Sequence, residues 1–290
     1  MKKFKILIPV FNDWDSLEKL LEEINIAVKD IKKISFSCII IDDASTIQSP
    51  NIKVPTNITS IEIVNMRENR GHARCNAFGL RYVVKNSKFD NLIVMDCDGE
   101  DRPEEIKFLV EKSLLEPNIS VVAKRIKRSE GPFFQFLYQV HKLITLIFTG
   151  KKINFGNYSC LTFNDVRQMS SDPSLWSSFS GTLKKNLKNY NEIDSIRGQR
   201  YFGPSKMSLF NLGIHSLSII AVFKKFVFLR STILIFLISY FGNQQEYLTI
   251  FTQILLIIFS LLIYLVSLRE NEKELLNSHN NLKDNYTYKH

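Results

Sequence analysis

The sequence predicts an α/β protein whose mostly parallel sheet is flanked by helices, because short apolar runs alternate with longer amphipathic stretches up to about residue 125. Each apolar run is the length of one strand, and the runs are 4–10, 37–41, 60–64, 91–95 and 119–123. Between them, apolar side chains recur at helical spacing, which predicts helices over 16–31, 73–85 and 103–115.

The carboxyl-terminal third of the chain differs in kind from this pattern. Residues 248–268 form an uncharged run of 21 residues, which at about 1.5 Å per residue crosses a hydrocarbon core of about 30 Å. A second, weaker apolar segment, residues 226–241, contains Arg230 near its start. Since only residues 242–247 separate the two segments, we expect a carboxyl-terminal transmembrane hairpin of two helices.

Basic residues flank the predicted hairpin and set its orientation. Lys224 and Lys225 precede it, Arg269 and Lys273 follow it, and its tip has no Lys or Arg. Because basic residues mark the cytoplasmic side of a membrane, we expect a protein of the inner (plasma) membrane with two transmembrane helices and with both termini cytoplasmic. The first apolar run is too short, and too soon interrupted by Pro9, to be a signal peptide.

Four regions are predicted along the chain. Residues 1–205 form the α/β domain, which includes an amphipathic helix at about 132–149, and residues 206–225 form a juxtamembrane amphipathic helix. Residues 226–268 form the hairpin, and residues 269–290 are expected to be a loose, polar, cytoplasmic tail. The two amphipathic helices are expected at the bilayer surface, although each has the composition of a core helix as well.

The composition restricts the classes of binding partner but does not select one of them. The chain has 38 Lys and Arg against 29 Asp and Glu, an excess that suits nucleic acid, anionic lipid or a phosphorylated substrate. The predicted hairpin and the acidic strand ends argue against nucleic acid. No two cysteines have the spacing of a zinc or redox motif, so buried, reduced thiols are expected. The cysteines are Cys38, Cys75, Cys97 and Cys160.

Acidic residues directly follow two of the predicted strands. Asp42 and Asp43 come after the second strand, and Asp96 and Asp98 come after the fourth. Ligands of open α/β sheets bind beyond the carboxyl ends of the strands, so these side chains should share one crevice. Paired carboxylates suit Mg²⁺ or Mn²⁺ on a diphosphate. The alternative for Asp42 and Asp43 is a purely local role in a turn and a helix cap.

The chain resembles the inverting family 2 glycosyltransferases of GT-A fold in four motifs that occur in the family's order. These motifs are Ile8-Pro9-Val10-Phe11-Asn12, Ile41-Asp42-Asp43-Ala44-Ser45, Asn69-Arg70-Gly71 and Asp96-Cys97-Asp98. This part of the resemblance covers residues 1–130. Farther along, the chain is similar to dolichyl-phosphate mannose synthases and bacterial polyprenyl-phosphate glycosyltransferases, and the features that carry this similarity are Arg125, Arg128, Gly203-Pro204-Ser205-Lys206 and the hairpin.

The resemblance implies a membrane enzyme that transfers a sugar, with inversion, from a nucleoside diphosphate to a polyprenyl phosphate, with Mg²⁺ or Mn²⁺ as cofactor. The residues implied in nucleotide-sugar binding are Pro9, Phe11, Asp13, Asp42, Asp43, Asn69, Gly71, Asp96 and Asp101. The catalytic residues implied are Asp98, Asp96, Arg125, Arg128 and Asn157, of which Asp96 and Asp98 would hold the metal. The residues implied at the acceptor phosphate are Arg125, Arg128, Arg200 and Lys206. A homo-oligomer is compatible with the sequence.

Two less specific alternatives remain for the roles of the basic residues of this set. Arg125 and Arg128 suit phosphate oxygens because guanidinium groups bind them in a bidentate manner, but they could also form a solvated basic face. Arg200 and Lys206 would meet an anionic headgroup at the membrane surface, which could belong to the carrier or to ordinary lipid.

One position departs from this branch of the family. Relatives commonly have an aspartate in a Gly-Asp-Phe segment, proposed as the base, whereas this chain has Gly156-Asn157-Tyr158, and asparagine cannot act as a base. A polyprenyl phosphate is largely ionised near neutral pH, since a phosphomonoester has a second pKa of about 6, so it needs no base. Asn157 would then orient the phosphate or the sugar, or be a mere loop residue.

Two other functions therefore remain open. If the acceptor is a hydroxyl group of a lipid-linked saccharide, a base is required, and Asp101 or Glu100 becomes the candidate. The chain could also be an inactive membrane protein that binds a nucleotide sugar without turning it over, an alternative suggested by Asn157.

Overall fold

The computed structural model describes residues 1–127, 132–204, 208–242 and 246–290. The described residues contain eight strands. They are β1 (Lys2–Val10), β2 (Ile34–Asp42), β3 (Ser60–Met66), β4 (Asn91–Val94), β5 (Val121–Lys127), β6 (Phe155–Thr162), β7 (Asn191–Ile196) and β8 (Leu282–Lys289). All eight belong to one sheet, in the order β7-β5-β6-β4-β1-β2-β3-β8.

The sheet is mixed, with parallel pairing at its centre. Strand β1 pairs in parallel with β2 and β4, β2 with β3, and β5 with β7, while β6 is antiparallel to both β4 and β5. The prediction of an α/β sheet flanked by helices is confirmed, and each of the five predicted strands is present. The sheet is mixed rather than mostly parallel, because β6 and β8 pair antiparallel with their neighbours. Strands β6, β7 and β8 were not predicted.

Helices cover both faces of the sheet. The described helices are α1 (Trp14–Val28), α2 (His72–Asn86), α3 (Ile106–Leu115), α4 (Pro132–Thr149), α5 (Phe163–Met169), α6 (Phe179–Asn186), α7 (Leu209–Ala221), α8 (Lys224–Phe241), α9 (Glu246–Ser267) and α10 (Glu272–Leu276). Successive side chains of a strand point to opposite faces, so Leu7 packs on the α2 side while Ile6 and Ile8 pack on the α1 side. The four cysteines are free and buried, as expected.

The expectation of a loose tail over residues 269–290 is wrong. Strand β8 pairs antiparallel with β3, with Tyr288 opposite Ile61 and Tyr286 opposite Ile63. The two tyrosines pack against the core on the α1 side of the sheet. An edge strand needs to bury only one side chain in two, so a segment that is polar on average forms an ordered strand.

Residues 270–281 connect the apolar helix α9 back to this edge of the sheet. Lys224 Nζ lies 2.6 Å from Glu270 Oε2, which joins the end of α9 to the start of α8. Trp176 Nε1 donates to Glu274 Oε2 at 2.9 Å, and an Arg81 guanidinium N–H donates to the carbonyl of Leu276 at 3.1 Å. The carboxyl-terminal segment is therefore fixed to the α/β domain along its length.

The predicted transmembrane hairpin is supported in part. Among the described residues, one stretch, Glu246–Leu276, is long and apolar enough to cross a membrane by length and composition. Helix α8 does not meet that criterion, and it contains Lys224, Lys225 and Arg230. The two helices contact each other, since Gln253 of α9 donates to Ser239 Oγ at 2.7 Å. Only 6% of the apolar window in Glu246–Leu276 is buried, so its surface has little contact with protein.

The two amphipathic helices pack beside α8 and α9. Helix α4 has the predicted bounds, and α7 lies within the predicted range 206–225, of which residues 206 and 207 fall outside the described residues. The ring of Phe148 lies 4.5 Å from that of Phe259, and Arg230 donates to the carbonyl of Ile147 at 2.7 Å. Phe136 and Phe210 are 65% and 76% exposed, so each helix also presents apolar surface outward. Their place at a bilayer surface stays a prediction.

Candidate active site

Asp96 lies where β4, β6 and the start of α2 meet. Its Oδ1 is 3.3 Å from His72 Nε2 and accepts from Asn157 Nδ2 at 3.4 Å. The two nitrogen atoms of His72 and Asn157 are 2.6 Å apart. The register of the sheet explains the contact, because Val94 of β4 lies opposite Ser159 of β6, and continuing by two residues brings Asp96 to Asn157.

The charge of Asp96 is stabilised by its neighbours. Burial pushes the pKa of this carboxyl upward, but His72 and Arg125 outweigh burial and lower the pKa below its ordinary value. Asp96 is therefore a carboxylate at neutral pH, and Arg125, also predicted as a site residue, is close enough for its charge to act on it.

Arg125 also faces a buried carboxyl, Asp101. The closest oxygen of Asp101 is 3.7 Å from an Arg125 guanidinium nitrogen, while the other oxygen accepts the backbone N–H of Asp96 at 3.0 Å. Burial raises the pKa of Asp101 to about 7. Gly156 leaves room for the guanidinium group, because a Cβ atom at this position would lie 2.6 Å from its nitrogen.

Asp98 forms an ion pair with Arg200, whose other terminal nitrogen lies 3.2 Å from Asp13 Oδ2. The second oxygen of Asp98 accepts the backbone N–H of Glu100 at 3.0 Å. Burial, followed by the charges of Asp96 and Glu100, raises the pKa of Asp98 to about 6. Arg200, expected at the acceptor phosphate, thus lies on the carboxylates expected to hold the donor, and its acceptor role stays a prediction.

The two aspartates after β2 have separate positions. Asp43 accepts the backbone N–H groups of Arg70 and Gly71, both at 2.8 Å, and so fixes the loop that begins α2. Burial raises the pKa of Asp43 to about 6. Asp42 instead accepts the N–H of Ser45 at 3.0 Å and lines a groove beside the sheet edge. Gly71 has a φ of +85°, which favours glycine at the start of α2.

Of the remaining predicted residues, three lie near the carboxyl ends of the strands and two lie outside the described residues. Pro9 is buried at the end of β1, Phe11 follows it and is 39% exposed, and Asn69 is exposed in the loop before Gly71. These three lie at the carboxyl ends of β1 and β3, as expected. Arg128 and Lys206 lie outside the described residues, so their predicted roles are neither supported nor contradicted.

His72 and His215 were not predicted from the sequence as residues of the site. His72 is the first residue of α2 and directly follows the Asn69-Arg70-Gly71 motif, so its position beside a predicted site was a usable signal. His215 lies on α7, where burial lowers its pKa to about 4 and the nearby charges are those of His72, Arg125 and Asp96. Helix α7 therefore approaches the site on the side of Asp96.

The acidic residues fit a divalent cation that binds together with a diphosphate. Within the described ranges, no group of three or more His, Cys, Asp or Glu residues is arranged to hold a metal ion. A cation on a substrate phosphate, however, takes only one or two carboxylates from the protein. Asp96 and Asp98 are the carboxylates predicted for this role, and a cation would relieve the like-charge crowding that contributes to the raised pKa of Asp98.

Comparison with known proteins identifies the family. A family model described as glycosyl transferase family 2 matches residues 5–201, which include the carboxyl ends of β1 to β4 and the acidic cluster. The chain belongs to glycosyl transferase family 2. The predicted enzyme class is therefore confirmed.

Two curated relatives of this family 2 glycosyltransferase have the same name, undecaprenyl-phosphate 4-deoxy-4-formamido-L-arabinose transferase. The protein from Photorhabdus laumondii subsp. laumondii is 27% identical over 223 residues, which cover 73% of this chain and 65% of the relative. The protein from Salmonella choleraesuis is 28% identical over 221 residues, with coverage of 73% and 64%. The match thus spans slightly less than two thirds of the length of these relatives.

Solved structures share the fold of this glycosyltransferase. Glucosyl-3-phosphoglycerate synthase from Mycobacterium tuberculosis, in complex with Mn²⁺, UDP-glucose and phosphoglyceric acid, has a TM-score of 0.53 at 15% identity, covering 78% of this chain and 80% of its own. A mannosyltransferase from Pyrobaculum calidifontis, in complex with GDP-Man and Mn²⁺, has a TM-score of 0.50 at 16% identity, covering 77% and 63%. At these identities the likeness concerns the fold alone, and it supports the expected GT-A-like sheet.

The raised pKa of Asp101 predicts a pH dependence of stability. Its pKa rises from 3.8 to about 7 on folding, so its contribution is fully present below about pH 4 and is lost as the pH rises through 7. Asp101→Asn does not titrate. The difference in Tm between this variant and the unsubstituted chain should therefore shift in favour of the variant, by about 3 °C or more, between about pH 4.5 and pH 8.

Thermal unfolding in detergent, followed by circular dichroism at several pH values, measures this difference. Asp30→Asn is the control, because Asp30 is exposed in a turn far from the cluster in sequence. A Tm difference for Asp101→Asn that stays constant with pH, as expected for the control, would contradict the burial argument.

Proposed function

We propose that this chain is a membrane-bound glycosyltransferase that transfers a sugar, with inversion, from a nucleoside diphosphate to a polyprenyl phosphate. The observation that carries the proposal is the proximity of Asp96 and Arg125, which both contact Asp101 at the carboxyl ends of the strands. His215 of α7 is close enough for the charges of Asp96 and Arg125 to act on its pKa. The carboxylates proposed for the donor and the guanidinium proposed for phosphate would therefore adjoin the apolar helices proposed to meet the lipid.

In the proposed reaction, an ionised oxygen of the carrier phosphate attacks the anomeric carbon of the donor sugar. The new bond forms between that oxygen and the anomeric carbon, and the bond to the diphosphate oxygen breaks on the opposite face, which inverts the configuration. The nucleoside diphosphate leaves with the electron pair, and no proton transfer is needed. Catalysis then rests on orientation and on stabilisation of developing negative charge.

Different residues of the protein would act on the donor and on the acceptor. Asp96 and Asp98 would hold Mg²⁺ or Mn²⁺, which when bound neutralises charge on the leaving diphosphate. Arg125 lies 3.7 Å from the buried carboxyl of Asp101, and its guanidinium would bind a phosphate oxygen. Arg200 would exchange its bond with Asp98 for one with phosphate as the donor enters.

The geometry does not favour either carboxylate that was considered as a base for a hydroxyl acceptor. Glu100 is paired with Arg197. Asp101 has a pKa raised to about 7, which would suit a base, but it is only 3% exposed and its two oxygens face Arg125 and the backbone of Asp96. An acceptor that is already ionised needs neither group, and this argument favours a phosphate.

The relatives and the apolar helices support the lipid part of the proposal. Both curated relatives described above are named for transfer to undecaprenyl phosphate. The exposed apolar stretch within Glu246–Leu276 would span the bilayer, with α8 as its partner and with α4 and α7 at the surface. The catalytic domain would then face the cytoplasm, where nucleotide sugars are available.

Sugar transfer to the carrier without a saccharide primer tests the acceptor. Membranes containing the full chain are supplied with undecaprenyl phosphate, Mn²⁺ and each of a panel of radiolabelled nucleotide sugars, and lipid-linked product is extracted and counted. One donor should give product without primer, and Asp98→Ala should reduce the rate by about 100-fold or more because leaving-group charge is no longer neutralised.

The control for this assay is Asp30→Ala, which removes an exposed carboxylate and should retain full activity. Product that forms only when a lipid-linked saccharide is added would establish the hydroxyl acceptor instead. Full turnover by a folded Asp98→Ala protein would contradict the assignment of the donor site.

Substitutions of Asn157 test whether the reaction proceeds without a base. Asn157→Asp would place a second carboxylate beside Asp96, to which the present amide donates at 3.4 Å, and should lower kcat/KM by about tenfold through like-charge repulsion. Asn157→Ala, which adds no charge, should cause a smaller loss. A faster Asn157→Asp enzyme, with a pH profile that rises with ionisation of the new carboxyl, would show that the reaction needs a base after all.

A further inference from the structure

A groove of about 470 Å³ lies where the apolar helices α8 and α9 meet the α/β domain. The two helices run antiparallel, because Lys224 at the start of α8 contacts Glu270 after α9, while Gln253 of α9 donates to Ser239 near the end of α8. The start of α8 and the end of α9 therefore form one end of the helix pair. The groove is at this end, and Pro173 of the α/β domain is part of its wall.

One side of the groove is apolar. It consists of Phe228 on α8 and of Tyr264 and Leu268 on α9. Tyr264 and Leu268 are 49% and 60% exposed, and both belong to the last part of the uncharged run 248–268. A tyrosine near the end of a spanning helix lies at the level of the lipid headgroups, where its ring is apolar and its hydroxyl group is hydrated. This side of the groove therefore suits the part of a lipid that joins the headgroup to the acyl chains.

The other side of the groove has charges of both signs. Lys224 and Lys225 precede Phe228 by about one helical turn, and Glu270 and Glu272 follow the uncharged run. Lys224 and Glu270 neutralise each other, since their charged atoms lie 2.6 Å apart. Lys225 and Glu272 are both exposed, and neither forms an ion pair within the part of the chain that the structure describes. One cation and one anion are thus open to a ligand.

These two charges select the class of lipid headgroup. A phosphate group binds an ammonium group such as that of Lys225, but a carboxylate such as that of Glu272 repels it. An anionic headgroup without a positive charge therefore gains from one residue and loses to the other. A headgroup with a phosphate and a primary ammonium group suits both residues, because the ammonium group donates hydrogen bonds to the carboxylate. A choline headgroup has the same charges, but its nitrogen has no N–H to donate.

We propose that this groove binds a phospholipid with a zwitterionic headgroup that ends in a primary ammonium group, as in phosphatidylethanolamine. Lys225 binds the phosphate, Glu272 binds the ammonium group, and the apolar side of the groove contacts the start of the acyl chains. The inference rests on the proposed function in one respect, because it requires that α8 and α9 enter a bilayer. This lipid is neither donor nor acceptor of the sugar, since none of the described residues that line the groove is assigned to either substrate.

Binding of three lipids with identical acyl chains tests the headgroup. The full chain is purified in detergent, freed of lipid and mixed with dioleoyl phosphatidylethanolamine, phosphatidylcholine or phosphatidylglycerol, and native mass spectrometry measures the fraction of protein that has a bound lipid. Phosphatidylethanolamine should bind about tenfold more tightly than the other two, because they lack the charged hydrogen bond to Glu272. Equal binding of all three lipids, or a preference for phosphatidylglycerol, would overturn the inference.

Substitutions of the two open charges should have different effects on the lipid preference. Glu272→Ala should reduce the preference for phosphatidylethanolamine over phosphatidylcholine to about 1–2. Glu272→Lys should make phosphatidylglycerol the preferred lipid, because the groove then has an excess of positive charge. Lys225→Ala should weaken the binding of all three lipids by about fivefold, since all three have the phosphate. A change from one preferred lipid to another is not an effect that a loss of folding produces.

Lys273→Ala and Glu111→Ala are the matched controls. Both residues are exposed, and neither is among the described residues that line the groove, although Lys273 is the neighbour of Glu272. Each control makes the same change in net charge as one of the groove variants and should leave the lipid preference unchanged. A preference for phosphatidylethanolamine that persists in both Glu272 variants, or binding that Lys225→Ala does not weaken, would contradict the assignment of the groove.

The outcomes separate this inference from the proposed function. Sugar transfer to the carrier by a protein with no lipid preference contradicts only the lipid site. The expected lipid preference in a protein that transfers no sugar supports the lipid site and contradicts the proposed reaction. A full chain that is recovered in the soluble fraction after cell lysis contradicts the membrane attachment in the proposed function, and with it this inference.

Discussion

Charge balance among three carboxyl groups after β4 is the constraint on which the site depends. Asp96, Asp98 and Asp101 lie within one short segment, and burial raises the pKa of Asp98 and Asp101. Arg125 and Arg200, which come from distant parts of the chain, supply the opposing charge. Because a partly buried carboxylate without a partner is unfavourable, these arginines, or a cation and phosphate that replace them, are needed to keep the cluster ionised.

The strand pairing of the sheet places this cluster near the apolar helix α7. Strand β6 runs antiparallel beside β4 and brings Asn157 against Asp96, while α7 approaches the same point with His215. After α9 the chain returns and closes the other end of the sheet as β8. The apolar helix α9 and the β8 edge of the sheet are therefore connected through one continuous segment.

The sequence predicted features that depend on local periodicity. Strands β1 to β5 are runs of apolar residues, and Asp42, Asp43, Asp96 and Asp98 follow strand ends as expected. It did not predict β8, because alternation of tyrosine with polar residues over eight positions has low mean hydropathy. It also could not pair Arg200 with Asp98, since these residues are 102 positions apart and the contact depends on how residues 198–201, after β7, pack against the segment 98–100.

We propose that Asp98 exchanges its bond with Arg200 for a cation only when a diphosphate is present. Calorimetric titration of Mn²⁺ into the full chain, with and without a saturating nucleoside diphosphate, tests this most directly. We expect weak Mn²⁺ binding by the protein alone, because Arg200 is paired with Asp98, and binding at least about tenfold tighter with the nucleotide. Equal affinity in both titrations, or tight binding of Mn²⁺ to the protein alone, would contradict it.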